Sequence, residues 1–228
     1  MTQLARLLRS AVALTPLALA AAPSVAQAAR PRIDRQGGQW GIMLGGSACL
    51  PGRSACRQDL DRDGVRIHGH TRPSFGTSAE LGYRFNRFIF LGASYHFGLF
   101  NPDYDFIAGR PYRHAYQHSI YAMVRPTLPV WRFDFGLGLG PGFSRQVFRI
   151  REDQKDYSQG FSWVIAPSID IFVTRRIFVG FKADFLLNAH RNVCRMRGSD
   201  TACRRSNDLD LGPVHQVLFG FRLGGTFL

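Results

Sequence analysis

The residues best placed for chemistry lie in one short stretch, Asp59-Leu-Asp61-Arg-Asp63-Gly64. Alternate carboxylates followed by a turn-forming glycine can wrap a hard cation in oxygen ligands, so Asp59, Asp61 and Asp63 are the candidate metal ligands, with calcium the fitting ion. In an EF-hand loop begun at Asp59, the closing position asks for a bidentate glutamate and holds His70 instead. Only a weak site of the extracellular type is therefore expected. The plainer alternative is a solvated turn whose carboxylates pair with Arg57, Arg62 and Arg66.

Other chemistry is thinner. Cys49 and Cys56 lie in one loop region and Cys194 and Cys203 in another. Local bridges 49–56 and 194–203 are the simplest pairing, and bridges between the two regions stay open. A zinc site using His68, His70 and His190 is the competing use, but the spacing matches no standard zinc pattern. Ser94 and His96 share a strand face, whereas Ser119 points away from its neighbour His118. A nucleophile and base without a matching acid are weak support for catalysis. Arginines crowd the same two regions: Arg53, Arg57, Arg62, Arg66 and Arg72, then Arg191, Arg195, Arg197, Arg204 and Arg205. They suit phosphate bidentately, or simply solvate the loops.

These residues must be held by something, and the composition says what. The chain has 228 residues, 45% hydrophobic and 20% charged, with formal net charge +13. All but two of its 29 basic residues are arginine, Lys155 and Lys182 being the exceptions. It is too apolar and aromatic to be disordered, and no apolar run is long enough for a spanning helix. Residues 1–28 read as a signal peptide: Arg6 and Arg9, an apolar stretch Ala11–Ala22, then Ala26-Gln27-Ala28 as the small-x-small cleavage site. Residues 29–228 form the single mature domain, exported to a compartment where disulfides persist. Export also argues against nucleic acid as the partner of so basic a chain.

Beyond residue 30 the dominant period is two. In 177–187, Ile177, Val179, Phe181, Ala183, Phe185 and Leu187 lie on one face, and Phe178, Gly180, Lys182, Asp184 and Leu186 on the other. Val217, Phe219, Phe221, Leu223 and Phe227 oppose Leu218, Gly220, Arg222, Gly224 and Thr226 in the same way. Eight such segments are expected, at 39–47, 73–85, 87–98, 112–124, 130–148, 158–173, 177–188 and 213–227. Long connections (48–72, 99–111, 189–212) alternate with short ones near Asn86, at 125–129 and at 174–176, and 149–157 is a polar connection. This is an all-β, eight-stranded antiparallel up-and-down barrel, and the loop asymmetry is that of a transmembrane barrel of the outer membrane.

Which face points inward decides between membrane and water. The apolar face is large and aromatic, and the other is rich in small residues that suit a narrow lumen. Glu80, Asp134, Asp170 and Asp184 on that face can neutralise Arg84, Arg132, Lys182 and Arg222. Trp40, Tyr83, Phe85, Phe88, Trp131, Phe172, Phe178 and Phe227 gather at the short-turn end, as an interfacial aromatic girdle does. A soluble barrel would turn the same faces the other way.

The pattern resembles the small outer-membrane barrels of the OmpA transmembrane domain and OmpX type over about residues 38–228. The sharpest piece is the last strand, Val217-Leu-Phe-Gly-Phe-Arg-Leu-Gly-Gly-Thr-Phe227, with alternating hydrophobics and an aromatic that is here penultimate to Leu228. The resemblance implies a monomer in the bacterial outer membrane. Its implied partners are outer-membrane lipids, lipopolysaccharide and the barrel-assembly machinery, with no nucleic acid. No cofactor is expected apart from weak calcium. The function implied is non-catalytic, structural or surface-contact through long Arg-rich loops. The alternatives are a lipid A-modifying barrel enzyme and a soluble secreted ligand-binding β-barrel.

Overall fold

The computed structural model describes residues 33–50, 59–62, 65–72, 74–104, 114–151, 154–205 and 213–227. Residues 1–28, together with Cys56, Asp63 and Gly64, lie outside these residues. In chain order the strands are β1 (Gly37–Cys49), β2 (Asp59–Arg62), β3 (Val65–Arg72), β4 (Ser74–Arg84), β5 (Ile89–Leu99) and β6 (Asn101–Tyr104). They continue with β7 (His114–Val130), β8 (Phe133–Arg151), β9 (Gln154–Phe172), β10 (Ile177–Arg197), β11 (Asp200–Arg205) and β12 (Gln216–Phe227).

Eight of them close a ring of antiparallel pairs, β12-β1-β4-β5-β7-β8-β9-β10, which returns to β12. The remaining short strands sit beyond the wall: β2, β3 and β6 form a small sheet, and β11 continues beside the upper part of β10. Closure removes the open edges that would template aggregation.

Alternation is strict along the wall. Ile42, Leu44, Leu81, Ile120, Phe143, Trp163, Phe181 and Phe221 face out and are exposed, Phe221 by 79%. Their neighbours in sequence face in, and all but a few glycines among them are buried. The polar faces therefore turn toward the barrel axis, as the small and mixed-charge residues on them imply.

The two tight turns foreseen near Asn86 and at 174–176 are present, each built by a side chain standing in for backbone. Asn86 Oδ1 accepts from the amides of Phe88 (2.8 Å) and Ile89 (2.9 Å). Thr174 Oγ1 does the same for Arg176 (3.2 Å) and Ile177 (2.9 Å).

Three expectations are corrected. The turn assigned to 125–129 lies at Trp131-Arg132, and β7 runs on through both prolines to Val130. Thr127 donates its amide to the Phe88 carbonyl at 2.7 Å, so Pro129, two residues on, turns its nitrogen to the same side. There β5 has already ended, and the missing N–H forfeits no ladder bond. Trp131 takes a left-handed φ of 55° to close this turn. Second, the connection at 149–157 is mostly strand: Val147 pairs with Tyr157 and Arg149 with Lys155. Third, much of 189–212 is the β10–β11 hairpin, pairing Asn192 with Arg205 through Arg197 with Asp200. In both, the strands continue past the apolar region with polar residues, which hides them from a search for hydrophobic alternation.

Candidate functional site

The barrel interior is the densest concentration of chemistry in the molecule. Glu80 on β4 accepts from three cations: Arg125 Nη1 of β7 (2.6 Å), Arg222 Nη2 of β12 (2.6 Å) and Lys182 of β10. Arg222 also donates to Asp170 of β9, and Lys182 Nζ lies 2.8 Å from Asp184 Oδ1. Three carboxylates thus face three cations, and all six side chains are buried. A closed set of this kind is tolerable at buried positions because each charge has an opposite partner and at least one hydrogen bond. Phe178 and Phe90 turn their ring faces to Arg222 and Arg125, at 4.9 and 4.4 Å to the guanidinium carbon.

Beside this set stands a serine–histidine–aspartate row. Ser94 Oγ is 2.9 Å from His96 Nε2, and His96 Nδ1 is 3.2 Å from Asp184 Oδ2. The order of groups is that of a hydrolytic triad, but His96 Nδ1 stands at ion-pair distance from Asp184 without a hydrogen bond. However, Ser94, His96 and Asp184 are 2%, 0% and 0% exposed, and Asp184 also accepts from Ser78 Oγ. Tyr121 packs its ring edge-on against His96 at 5.2 Å. Met43, Phe90, Tyr121, Met123, Val164, Ala166, Leu186 and Leu218 form an apolar cluster in the same interior.

Toward the long-strand end the filling becomes neutral. Asn188 donates to Gln117 Oε1 (2.9 Å) and to the Val214 carbonyl (2.6 Å), and accepts from Ser144 and Ser162. Gln146 donates to the same Gln117 oxygen at 2.7 Å. His190 is held between Ser144 (2.7 Å) and Ser158 (2.9 Å).

At the short-turn end, residues 33–36 cross to the opposite turns. Arg35 donates to Asp134 Oδ1 (2.9 Å) and to the Trp131 carbonyl (2.6 Å), and Gln36 Nε2 donates to the Phe85 carbonyl at 3.1 Å. Asp134 also receives Arg84 at 2.5 Å. Phe172 and Phe178 are buried here, with Arg35 over the Phe172 ring at 5.3 Å. Their assignment to an outward girdle is therefore corrected: their parity places them in the lumen. Tyr83, Phe85, Phe88, Trp131 and Phe227 are exposed as expected.

No described protein family matches the chain by sequence, and neither does any characterised protein. Among solved structures it is similar to the outer membrane protein OprG from Pseudomonas aeruginosa. The identity is 11% and the TM-score 0.50, over 87% of this chain and 99% of that one. The fold is that of the small eight-stranded outer-membrane β-barrels.

In this outer-membrane barrel fold the remaining candidates fall as follows. Asp59 and Asp61 lie on β2, where Asp59 pairs in register with His68 and Asp61 with Arg66 of β3. Asp63 is outside the described residues. Cys194 and Cys203 are bridged, joining directly opposite residues of β10 and β11. Cys49 is disulfide-bonded as well. No described cysteine is free for zinc, and His190 is engaged by serines in the lumen. Arg132 is not a lumen cation: it sits in the turn, over the Trp131 ring at 5.5 Å.

Arg125 takes the lumen place expected of Arg132, and the proline-rich stretch around it masks its strand pattern in the sequence. Its parity with Tyr121 and Met123, continued to Thr127, is the signal that reveals it. Arg35 carries no signal of its own, since it precedes the first alternating segment.

The β10–β11 hairpin exposes Arg191, Arg195, Arg197, Arg204 and Arg205. Arg195 makes a two-pronged contact with Asp156 of β9, at 3.0 and 3.2 Å. In the chain-entropy picture a bridge closing so short a loop contributes about 2–3 kcal/mol to ordering it. Replacing Cys203 by serine is expected to leave heat-modifiable gel migration of the barrel unchanged. Protease cleavage between residues 190 and 205 should become at least several-fold faster, which timed digestion and mass mapping will measure.

Proposed function

We propose that this chain is a non-catalytic integral protein of the bacterial outer membrane. It acts structurally and through surface contact at its arginine-rich extracellular end. The observation that carries the reading is the filled interior. Charged, apolar and neutral hydrogen-bonded side chains occupy it from the Arg35–Asp134 pair at one end to the Gln146–Val214 contact at the other. A triad that worked as an enzyme would need its serine open to substrate, and Ser94 is sealed between the charged set and the apolar cluster. What the barrel offers to other molecules is its outside: an apolar wall for lipid and the disulfide-braced hairpin for anionic surfaces.

Envelope fractionation is the test. The mature protein is expected in the outer-membrane fraction, extracted only by detergent and shifting in SDS gels on boiling. In planar bilayers it should give no steady conductance above background. Recovery from the periplasm as a detergent-free monomer would point to the soluble barrel, and hydrolysis of lipid A acyl chains by the purified protein would restore the enzyme reading.

A further inference from the structure

The outward face of the wall is apolar over most of its circumference and height, and at the long-strand end it meets outward cations on β8 and β9. On β9 the outward positions from Ile171 up to Phe161 are apolar throughout. A strand rising ~3.3 Å per residue and tilted ~40° carries such a stretch through ~25 Å, the height of the apolar band in barrels of this class. The next outward positions of β9, Gln159, Tyr157 and Lys155, are polar. Arg145 on β8 pairs in register with Gln159 on β9, and Arg149 with Lys155. On the other flank His118 and His114 of β7 stand opposite Arg145 and Arg149.

Tyrosines interleave with these charges. Arg145 lies over the Tyr157 ring at 4.7 Å, and the Tyr95 hydroxyl is 2.6 Å from His118 Nδ1. Among the described residues, no carboxylate lies within ion-pair distance of Arg145, Arg149 or Lys155. The outward positions of β12, β1, β4 and β5 hold no charge at all among the described residues.

We propose that this outward patch on β7, β8 and β9 is a binding site for the phosphorylated sugar headgroup of an outer-leaflet glycolipid of the lipid A class. The proposal rests on the membrane location given under Proposed function and names a partner for that surface. The chemistry follows from position. The guanidinium groups of Arg145 and Arg149 and the ammonium of Lys155 stand directly above the apolar band, where headgroup phosphates lie. Arginine matches phosphate bidentately, and the tyrosine and imidazole groups can donate to sugar hydroxyls. Acyl chains from the same lipid would run down past Phe143, Ile120 and Phe161, which are exposed directly below. A general attraction for anionic lipid would need only charge, so selectivity separates a site from a charged rim.

The experiment uses the mature chain in phosphatidylcholine nanodiscs and measures retained lipid by native mass spectrometry. The probes are bisphosphorylated lipid A, the same lipid stripped of phosphate, and phosphatidylglycerol. Bisphosphorylated lipid A is expected to bind at least tenfold better than either of the others. The combined variant Arg145→Ala, Arg149→Ala, Lys155→Ala should bring it down to the phosphatidylglycerol level. The same loss of charge at the other end, Arg87→Ala with Arg132→Ala and Arg175→Ala, should leave it unchanged. Equal binding of all three lipids, or wild-type retention by the combined variant, would overturn the site. The lipid comparison needs no variant, so a variant that does not fold leaves the proposal open to refutation. Heat-modifiable migration of the same samples reports the barrel separately: its absence would sink the membrane reading, whereas its presence with unselective binding sinks the lipid site alone.

Discussion

Replacing Glu80 by alanine is expected to lower the unfolding free energy by about 3–5 kcal/mol, the cost of leaving a buried charge without its partner. Glu80 is the hub of the interior, accepting from Arg125, Lys182 and Arg222 together. Its loss leaves three cations facing Asp170 and Asp184 alone at buried positions. Removing the neutral donor at Ser78, which bonds only Asp184 in this set, should cost about 1 kcal/mol. Urea unfolding in lipid bilayers measures both, and the temperature at which the folded gel band disappears gives a second ranking. A Glu80→Ala protein within 1 kcal/mol of the parent would show that the charges are solvated or re-paired, and that the lumen is wetter than its burial implies.

The wall was legible because a two-residue period makes no distinction between near and distant neighbours: each strand declares its faces alone. Glu80, Asp134, Asp170, Lys182, Asp184 and Arg222 could be assigned to the interior on parity, and all are buried there. Parity does not say who meets whom. His96 and Asp184 are on strands far apart in the chain, and they meet only because closure and register bring β5 and β10 to face each other across the axis. That information resides in the whole ring and in no local window. Where proline or polar residues interrupted the apolar signal, the reading failed in a physically consistent way. Arg125 was lost behind Pro126 and Pro129, although Pro129 merely faces a side where the neighbouring strand has stopped. The upper parts of β8, β9 and β10 resemble connections in sequence because strands above an apolar band need no hydrophobic face. At Phe172 and Phe178 composition, aromatic residues near a turn, points outward, while parity, which puts Phe178 on the face of Lys182, points inward and prevails.

Placing an arginine at Phe221 should cost about 2–4 kcal/mol if that face meets lipid at mid-depth. Phe221 is, among the described residues, the most exposed large hydrophobic at 79%, and lies midway along β12 between Phe181 of β10 and Leu44 of β1. In water the same change at so exposed a position would fall within about 0.5 kcal/mol of zero. The two environments therefore predict different results for one substitution. Phe227→Arg, at the short-turn end of the same strand and face, supplies the internal scale: near the interface its cost should drop to about 0–1 kcal/mol. A depth-dependent pair of values requires a bilayer, whereas two equal and small values would return the soluble barrel to first place. The adjacent residue shows why the sign is set by environment and not by the side chain. Arg222, one step along the strand, is buried with Asp170 and Glu80 as partners. A guanidinium is thus accommodated on the inner side of this wall, and moving it one residue to the outer side removes every partner it has.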